Sequence, residues 1–223
     1  MYRRDYLMRL IQQFSEEMVK IMFHRRNQQF AEAMELLLQA MQRLLGLNSK
    51  LVQALAVKDI IALLTLQGRL DAGKGVLLAD MLKAEGELLT DSGDERGGHA
   101  SGLKALELLL EMRWMEETEE MRAEVDSRIH SLLDGLQHQR KPKRVLALLL
   151  GFYEEEGRLA KAEDTLFFML DEEPGNASII EQGLELYERW RNLPQEQVEH
   201  GGLTAEELEE SYKILKKMKQ NGS

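Results

Sequence analysis

The sequence predicts an all-α protein, and three observations carry that prediction. Leu, Ala, Met, Glu, Lys and Gln dominate while Val, Ile and Thr are scarce. The abundant types lose little side-chain freedom in a helix, whereas branching at Cβ restricts it. Apolar residues recur at a spacing of about 3.6 almost from end to end. The 3 prolines, Pro142, Pro174 and Pro194, all stand where an apolar pattern stops or starts, as helices require of a residue that cannot donate a backbone hydrogen bond.

Taken in order, Leu7, Leu10, Ile11, Phe14, Met18, Ile21 and Met22 form the stripe of a first helix. Phe30, Ala33, Leu37, Ala40, Met41 and Leu44 form a second, which ends at Gly46 with Leu47 placed for the apolar contact of a glycine C-cap. Two further helices are expected over 49–67 and 69–89. TDSGDERGGH, residues 90–99, is polar, glycine-rich and aperiodic, and reads as a loop. It is either a domain boundary within a single domain of residues 1–223 or a long connection between helices. Helices then follow over 101–114, 117–137, 143–156, 158–172 and 177–191. The last helix is announced by Thr204 and Glu207, spaced as a capping box, and by Leu203 and Leu208, spaced as a hydrophobic staple. Glutamates crowd its start and lysines its end, which suits the helix dipole. Its stripe of Leu208, Tyr212, Leu215 and Met218 marks a terminal capping helix.

Composition excludes several functions. The chain carries no cysteine, so disulfides, thiolate nucleophiles and cysteine-ligated zinc are ruled out. A net charge of −10 opposes general binding to nucleic acid or anionic membranes. No apolar run reaches the roughly 18 residues a membrane span needs. The basic N-terminus MYRRDYLMRLIQQF is interrupted by an acid and amides before a signal-peptide core could form, so the expected location is cytoplasmic.

The stretch GRLAKAEDTLFFMLDEEPGN, residues 157–176, looks like half of a helical hairpin with its terminator attached. Extended back to 143, it resembles a tetratricopeptide repeat, a helix–turn–helix unit. Leu146, Leu149 and Tyr153 stand at that motif's large first-helix positions, Gly157 at its turn and Ala162 at its small packing position. Leu166 takes its large second-helix position and Pro174 its terminal proline, while Met169 departs from the family's alanine. Phe30, Ala33, Leu37 and Ala40 repeat the second-helix spacing, and residues 60–82 echo 145–170 through a shared GRL, with Gly73 and Asp80 at the small positions. The likeness is strong only over about 143–190. It implies a tetratricopeptide-like right-handed solenoid of about ten antiparallel helices with a capping helix; a non-repeating helical bundle is the alternative. RRDYLMRLIQQFSEEMVKIM also resembles uncharacterised Gram-positive bacterial proteins with tetratricopeptide-like folds.

The chemistry-bearing patterns resolve into surface or turn roles. GRLDAGKG, Gly68 to Gly75, matches a phosphate-cradling loop except that Gly75 replaces the magnesium-binding Ser or Thr. Such a loop also needs an alternating α/β chain, so a nucleotide-binding enzyme built on it is a remote alternative. His24, His99, His130, His138 and His200 show no metal-ligand spacing. MEETEEM and YEEEG read as solvated faces, and Trp114 and Trp190 as partly buried packing residues unless exposed, when either would mark a contact surface. QRKPKR, residues 139–144, reads as a linker-like surface loop between two helices. No catalytic residue, cofactor or metal site is expected.

Tetratricopeptide arrays act by holding peptides or partner helices on a concave face. The resemblance places Arg144, Ala147, Leu148, Gly151, Glu154 and Glu155 on that face, followed by Ser178, Glu181, Gln182, Glu185, Glu188 and Arg189. The lysines and asparagines with which some members clamp a terminal carboxylate are replaced here by Ala147, Gly151, Glu181 and Glu185. A face bearing Glu154, Glu155, Glu181, Glu185, Glu188 and Arg189 favours a basic protein segment. The leading expectation is therefore a non-catalytic scaffold or adaptor. The second is a structural homo-oligomer such as a homodimer, with Met8, Met18 and Met22 of the first helix suited to an adaptable contact.

Overall fold

The computed structural model describes the backbone of residues 2–221 and the side chains of residues 9–220; Leu7 and Met8 therefore lie outside the described side chains. The described residues are almost entirely helical and divide into two compact units, 1–140 and 141–223.

The first unit contains α1 (Tyr2–Arg26), α2 (Phe30–Leu45), α3 (Ser49–Ala54), α4 (Val57–Leu63), α5 (Ala72–Asp91), α6 (Glu95–Arg113), a 3₁₀ turn (Glu116–Met121) and α7 (Arg122–Gly135). Its hub is α5. Apolar residues run round that helix, and Val76, Leu77, Leu78, Ala79, Met81, Leu82 and Leu88 are all buried. A helix with so broad an apolar surface must be covered on most of its sides. Here α1, α2 and α6 pack on α5, while α4 and α7 pack on α6.

Glycine sets how closely α5 and α6 approach. A Cβ at Gly86 would lie 2.8 Å from the carbonyl oxygen of Gly98 and 3.3 Å from the backbone nitrogen of Gly102. Of the glycines of the 90–99 segment, Gly98 thus serves the helix interface, while Gly93, at φ 96°, makes the turn. Only Ser92–Asp94 forms the turn, and Asp94 caps α6 by accepting from the Gly97 N–H at 2.9 Å. The two compact units meet in sequence at 140/141, inside the QRKPKR segment.

The continuous helix expected over 49–67 is broken twice. Leu55 and Ala56 are extended, and the carbonyls of Val52, Gln53 and Leu55 accept from the Lys104 ammonium at 2.9, 2.5 and 2.9 Å. That lysine replaces the helical partners which the last carbonyls of α3 lack, and burial pulls its pKa down. Nearby, the buried Glu85 carboxylate accepts from Ser49 and from Gln53, whose amide also reaches Ser101 at 2.8 Å. The second break is a hairpin in which β1 (Thr65–Leu66) pairs with β2 (Arg69–Leu70). Its turn residues, Gln67 and Gly68, have φ of 53° and 75°, the conformation of a two-residue hairpin turn.

The second unit contains α8 (Lys143–Glu155), α9 (Leu159–Glu172), α10 (Ala177–Trp190), α11 (Gln195–His200) and α12 (Ala205–Asn221). Gly157, at φ 68°, reverses the chain between α8 and α9. Gly183 brings α10 against Leu166 of α9 and Leu215 of α12, since a Cβ there would lie 2.8 and 3.0 Å from their methyl carbons. The Thr204–Glu207 capping box forms as expected: the Thr204 N–H donates to Glu207 at 2.8 Å and the Glu207 N–H to Thr204 Oγ1 at 3.1 Å. The Thr204 N–H and, next, its hydroxyl, both donating to the carboxylate, hold the Glu207 carboxyl below its ordinary pKa.

Gly86→Ala is expected to cost about 2 kcal/mol in urea denaturation, because backbone must move to admit the methyl group. Gly135→Ala, where nothing lies within 4 Å, should change stability by less than about 1 kcal/mol. Tyr187 is fully buried and donates to Glu163. Burial first, and that bond second, raise its pKa above the usual 10.0. Its contribution is thus complete below about pH 10 and is lost as pH rises through the folded-state pKa. Alkaline denaturation of the wild type should show this loss, and Tyr187→Phe should remove it.

Candidate functional site

The second unit carries a cleft of about 700 Å³ where three segments converge. The end of α8 and its turn supply Glu154, Glu155, Gly157 and Leu159, the end of α10 supplies Arg189 and Trp190, and the α11 region supplies Leu193, Glu196, Gln197 and His200. Glycine positions the third wall. The Ala160 N–H in the first turn of α9 donates to the Gly201 carbonyl at 3.0 Å. A Cβ at Gly201 would lie 2.6 Å from Leu159 Cγ and 2.7 Å from the Gly157 carbonyl. A helix start has backbone donors without helical partners, and here the chain following α11 supplies one acceptor.

Glu154 organises the interior. Its carboxylate accepts from Arg189 Nε at 3.0 Å and Nη2 at 2.9 Å, and from the Trp190 indole N–H at 3.1 Å. Glu154 is the main cause of a raised Arg189 pKa. The floor is apolar, with Leu159 and Trp190 buried and Leu193 37% exposed. Glu154 and Arg189 offset each other, and Glu155 and Glu196 add two further carboxylate side chains to the lining.

Of the residues singled out from the sequence, the cleft brings together Glu154, Glu155 and Arg189. Glu181, Glu185 and Glu188 lie exposed along α10 outside the cleft lining. Glu181 pairs with Lys219 at 3.1 Å, and Glu188 accepts from the Tyr212 hydroxyl at 3.1 Å. Sequence reasoning missed Leu193, Glu196, Gln197 and His200, because α11 has six residues and a single buried apolar side chain, Val198, too few to show a period. Trp190 is buried as a packing residue, whereas Trp114 is 49% exposed, with the Arg113 guanidinium 5.3 Å from its ring.

Smaller cavities of about 280 and 240 Å³ lie in the first unit, between α5 and α7 and near the end of α1. Charges there are internally paired: Arg128 with Asp80 at 2.9 Å, and Arg25 with Asp91 at 2.5 Å and with Glu87. Gly68–Gly75 is given to packing. Gly68 turns the hairpin, Asp71 caps α5 through the Lys74 N–H at 3.1 Å, and Gly75 faces the Met112 side chain. The two strands beside it are antiparallel, unlike the parallel sheet on which a phosphate loop is built. Among the described residues no three His, Asp or Glu side chains are grouped to hold a metal ion, and no helix is long and apolar enough to cross a membrane.

Glu154→Ala is expected to destabilise the protein by about 1–3 kcal/mol, because the buried Trp190 N–H loses its acceptor. Glu154→Gln keeps a carbonyl oxygen there and should recover most of the loss in urea denaturation followed by tryptophan fluorescence.

A family model, that of a family of unknown function (DUF6483), matches residues 1–220. No curated protein and no solved structure matches the chain.

Proposed function

The chain belongs to the family of unknown function DUF6483, and from its geometry we propose a non-catalytic protein-interaction module that binds a basic segment of a partner in the cleft of the second unit. The observation that carries this reading is the cleft itself: an apolar floor of Leu159, Trp190 and Leu193 beneath Glu154, Glu155 and Glu196, with one cation, Arg189, already engaged. A basic peptide laying apolar stems on that floor and its charges against the rim would satisfy both features, and acidic partners would be repelled. The surface that binds is thus a cleft at the helix ends, of which Glu181, Glu185 and Glu188 are not part.

The tetratricopeptide-like reading belongs to this proposal and is strongest for α8–α10. The left-handed turn at Gly157 and the burial of Ala162 and Leu166 support it. The first unit, arranged round a central α5, supports a helical bundle there instead of further repeats. A bacterial, cytoplasmic adaptor is the setting this proposal favours.

A second reading, self-association, is favoured by Val19 and Phe23, one turn apart on α1 and 72% and 62% exposed. A molar mass that rises with concentration in sedimentation, and ceases to do so in Phe23→Glu, would support it.

For the leading reading, fluorescence anisotropy should show the labelled peptide Leu-Arg-Leu-Arg-Leu binding and its counterpart Leu-Glu-Leu-Glu-Leu not binding. Affinity should fall about tenfold or more in the double variant Glu155→Lys/Glu196→Lys. Equal binding of the two peptides, or an affinity unmoved in the variant, would contradict the assignment.

A further inference from the structure

Glu154 is held by two residues at the end of α10, Arg189 and Trp190. Two parallel N–H···O bonds from one guanidinium, at 3.0 and 2.9 Å, form a fork, a geometry that arginine satisfies and an ammonium cannot. The carboxylate is anchored and its partner is not. The Glu154 side chain is 24% exposed and further fixed by the indole of Trp190, itself 1% exposed, whereas the Arg189 side chain is 56% exposed. The guanidinium therefore sits at the rim, able to swing away while the carboxylate stays in place.

We infer that Arg189 is a resident competitor for the cleft, and that the group recognised there is an arginine side chain of a partner segment, which takes the Glu154 fork from Arg189. This inference rests on the reading of the cleft as a binding site and names the chemistry that the site selects. The incoming guanidinium makes the same two bonds on Glu154, and its methylene stem lies over Leu159 and Leu193. A lysine ammonium meets that carboxylate as a point charge and forgoes the fork. The released Arg189 finds Glu185 one turn earlier on α10, in the glutamate-before-cation order that favours such helical pairs. Exchange of one guanidinium for another keeps Glu154 paired throughout, so displacement does not leave a half-buried carboxylate exposed to the apolar floor. Arg189 then sets selectivity: a ligand that cannot replace its two bonds gains too little to displace it.

The test compares labelled Leu-Arg-Leu-Arg-Leu and Leu-Lys-Leu-Lys-Leu on the full chain carrying wild-type sequence, Arg189→Ala, Arg189→Gln or Glu154→Gln. Removing the competitor should tighten the arginine peptide about fivefold in both Arg189 variants, and by more than it tightens the lysine peptide. Glu154→Gln should erase the preference for arginine over lysine. Unchanged or weaker arginine-peptide binding in both Arg189 variants, with the wild type still binding, overturns the displacement and leaves the cleft reading standing. Arginine and lysine peptides bound equally by the wild type also overturn it. Binding of neither peptide by any of the four proteins overturns the cleft reading together with the inference.

Discussion

A single carboxylate ties the ends of two helices of the second unit to each other. Glu154, in the last turn of α8, accepts from the guanidinium of Arg189 and the indole of Trp190, both at the end of α10. The buried indole N–H needs an acceptor, and the carboxylate needs a cation in a setting that is only partly solvated. Each requirement meets the other, and the result fixes the separation of two helix ends. α11 crosses beside them, held by the Gly201 carbonyl on the start of α9. The cleft is what remains between these three constraints.

The first unit solves a different problem with the same means. Its central α5 is apolar on every face but that of Asp80, Lys83 and Glu87 and must be enclosed, which calls for close helix approach on one side. Gly86 and Gly98 supply that approach, with backbone facing backbone where side chains would keep the helices apart. Two polar groups drawn into this packing are satisfied individually. Glu85 is bonded by Ser49 and Gln53, and Lys104 takes three carbonyls at the end of α3. Charges in the first unit's cavities are consumed by internal pairing, Arg128 on Asp80 and Arg25 on Asp91 and Glu87.

Features fixed by near neighbours were legible in the sequence. Thr204 and Glu207 cap α12 with each other, and Gly46, at φ 70°, ends α2. The all-α class follows from such local signals repeated along the chain. What escaped depends on distant partners. The end of α3 is held by Lys104, 52 positions from Val52, so no local pattern marks the break. Gly97 and Gly98 have the composition of a loop, yet they belong to the first turn of α6, and Gly98 meets α5. The hairpin at Gln67–Gly68 hides because glutamine occupies a positive φ where asparagine or aspartate is the usual signal. At the site, repeat register placed Glu154 and Arg189 on one face but did not reveal that they bind each other. The contribution of α11 was invisible.

The most direct test of the acidic cleft is the indole N–H region of a ¹⁵N-labelled protein's NMR spectrum, titrated with unlabelled Leu-Arg-Leu-Arg-Leu. The chain has 2 tryptophans and so two resonances to follow. Because the Trp190 indole donates to the Glu154 carboxylate, a peptide guanidinium taking up that carboxylate is expected to give a saturable shift of the Trp190 resonance with Trp114 unmoved. A shift confined to Trp114, or spectra unchanged throughout the titration, would contradict it.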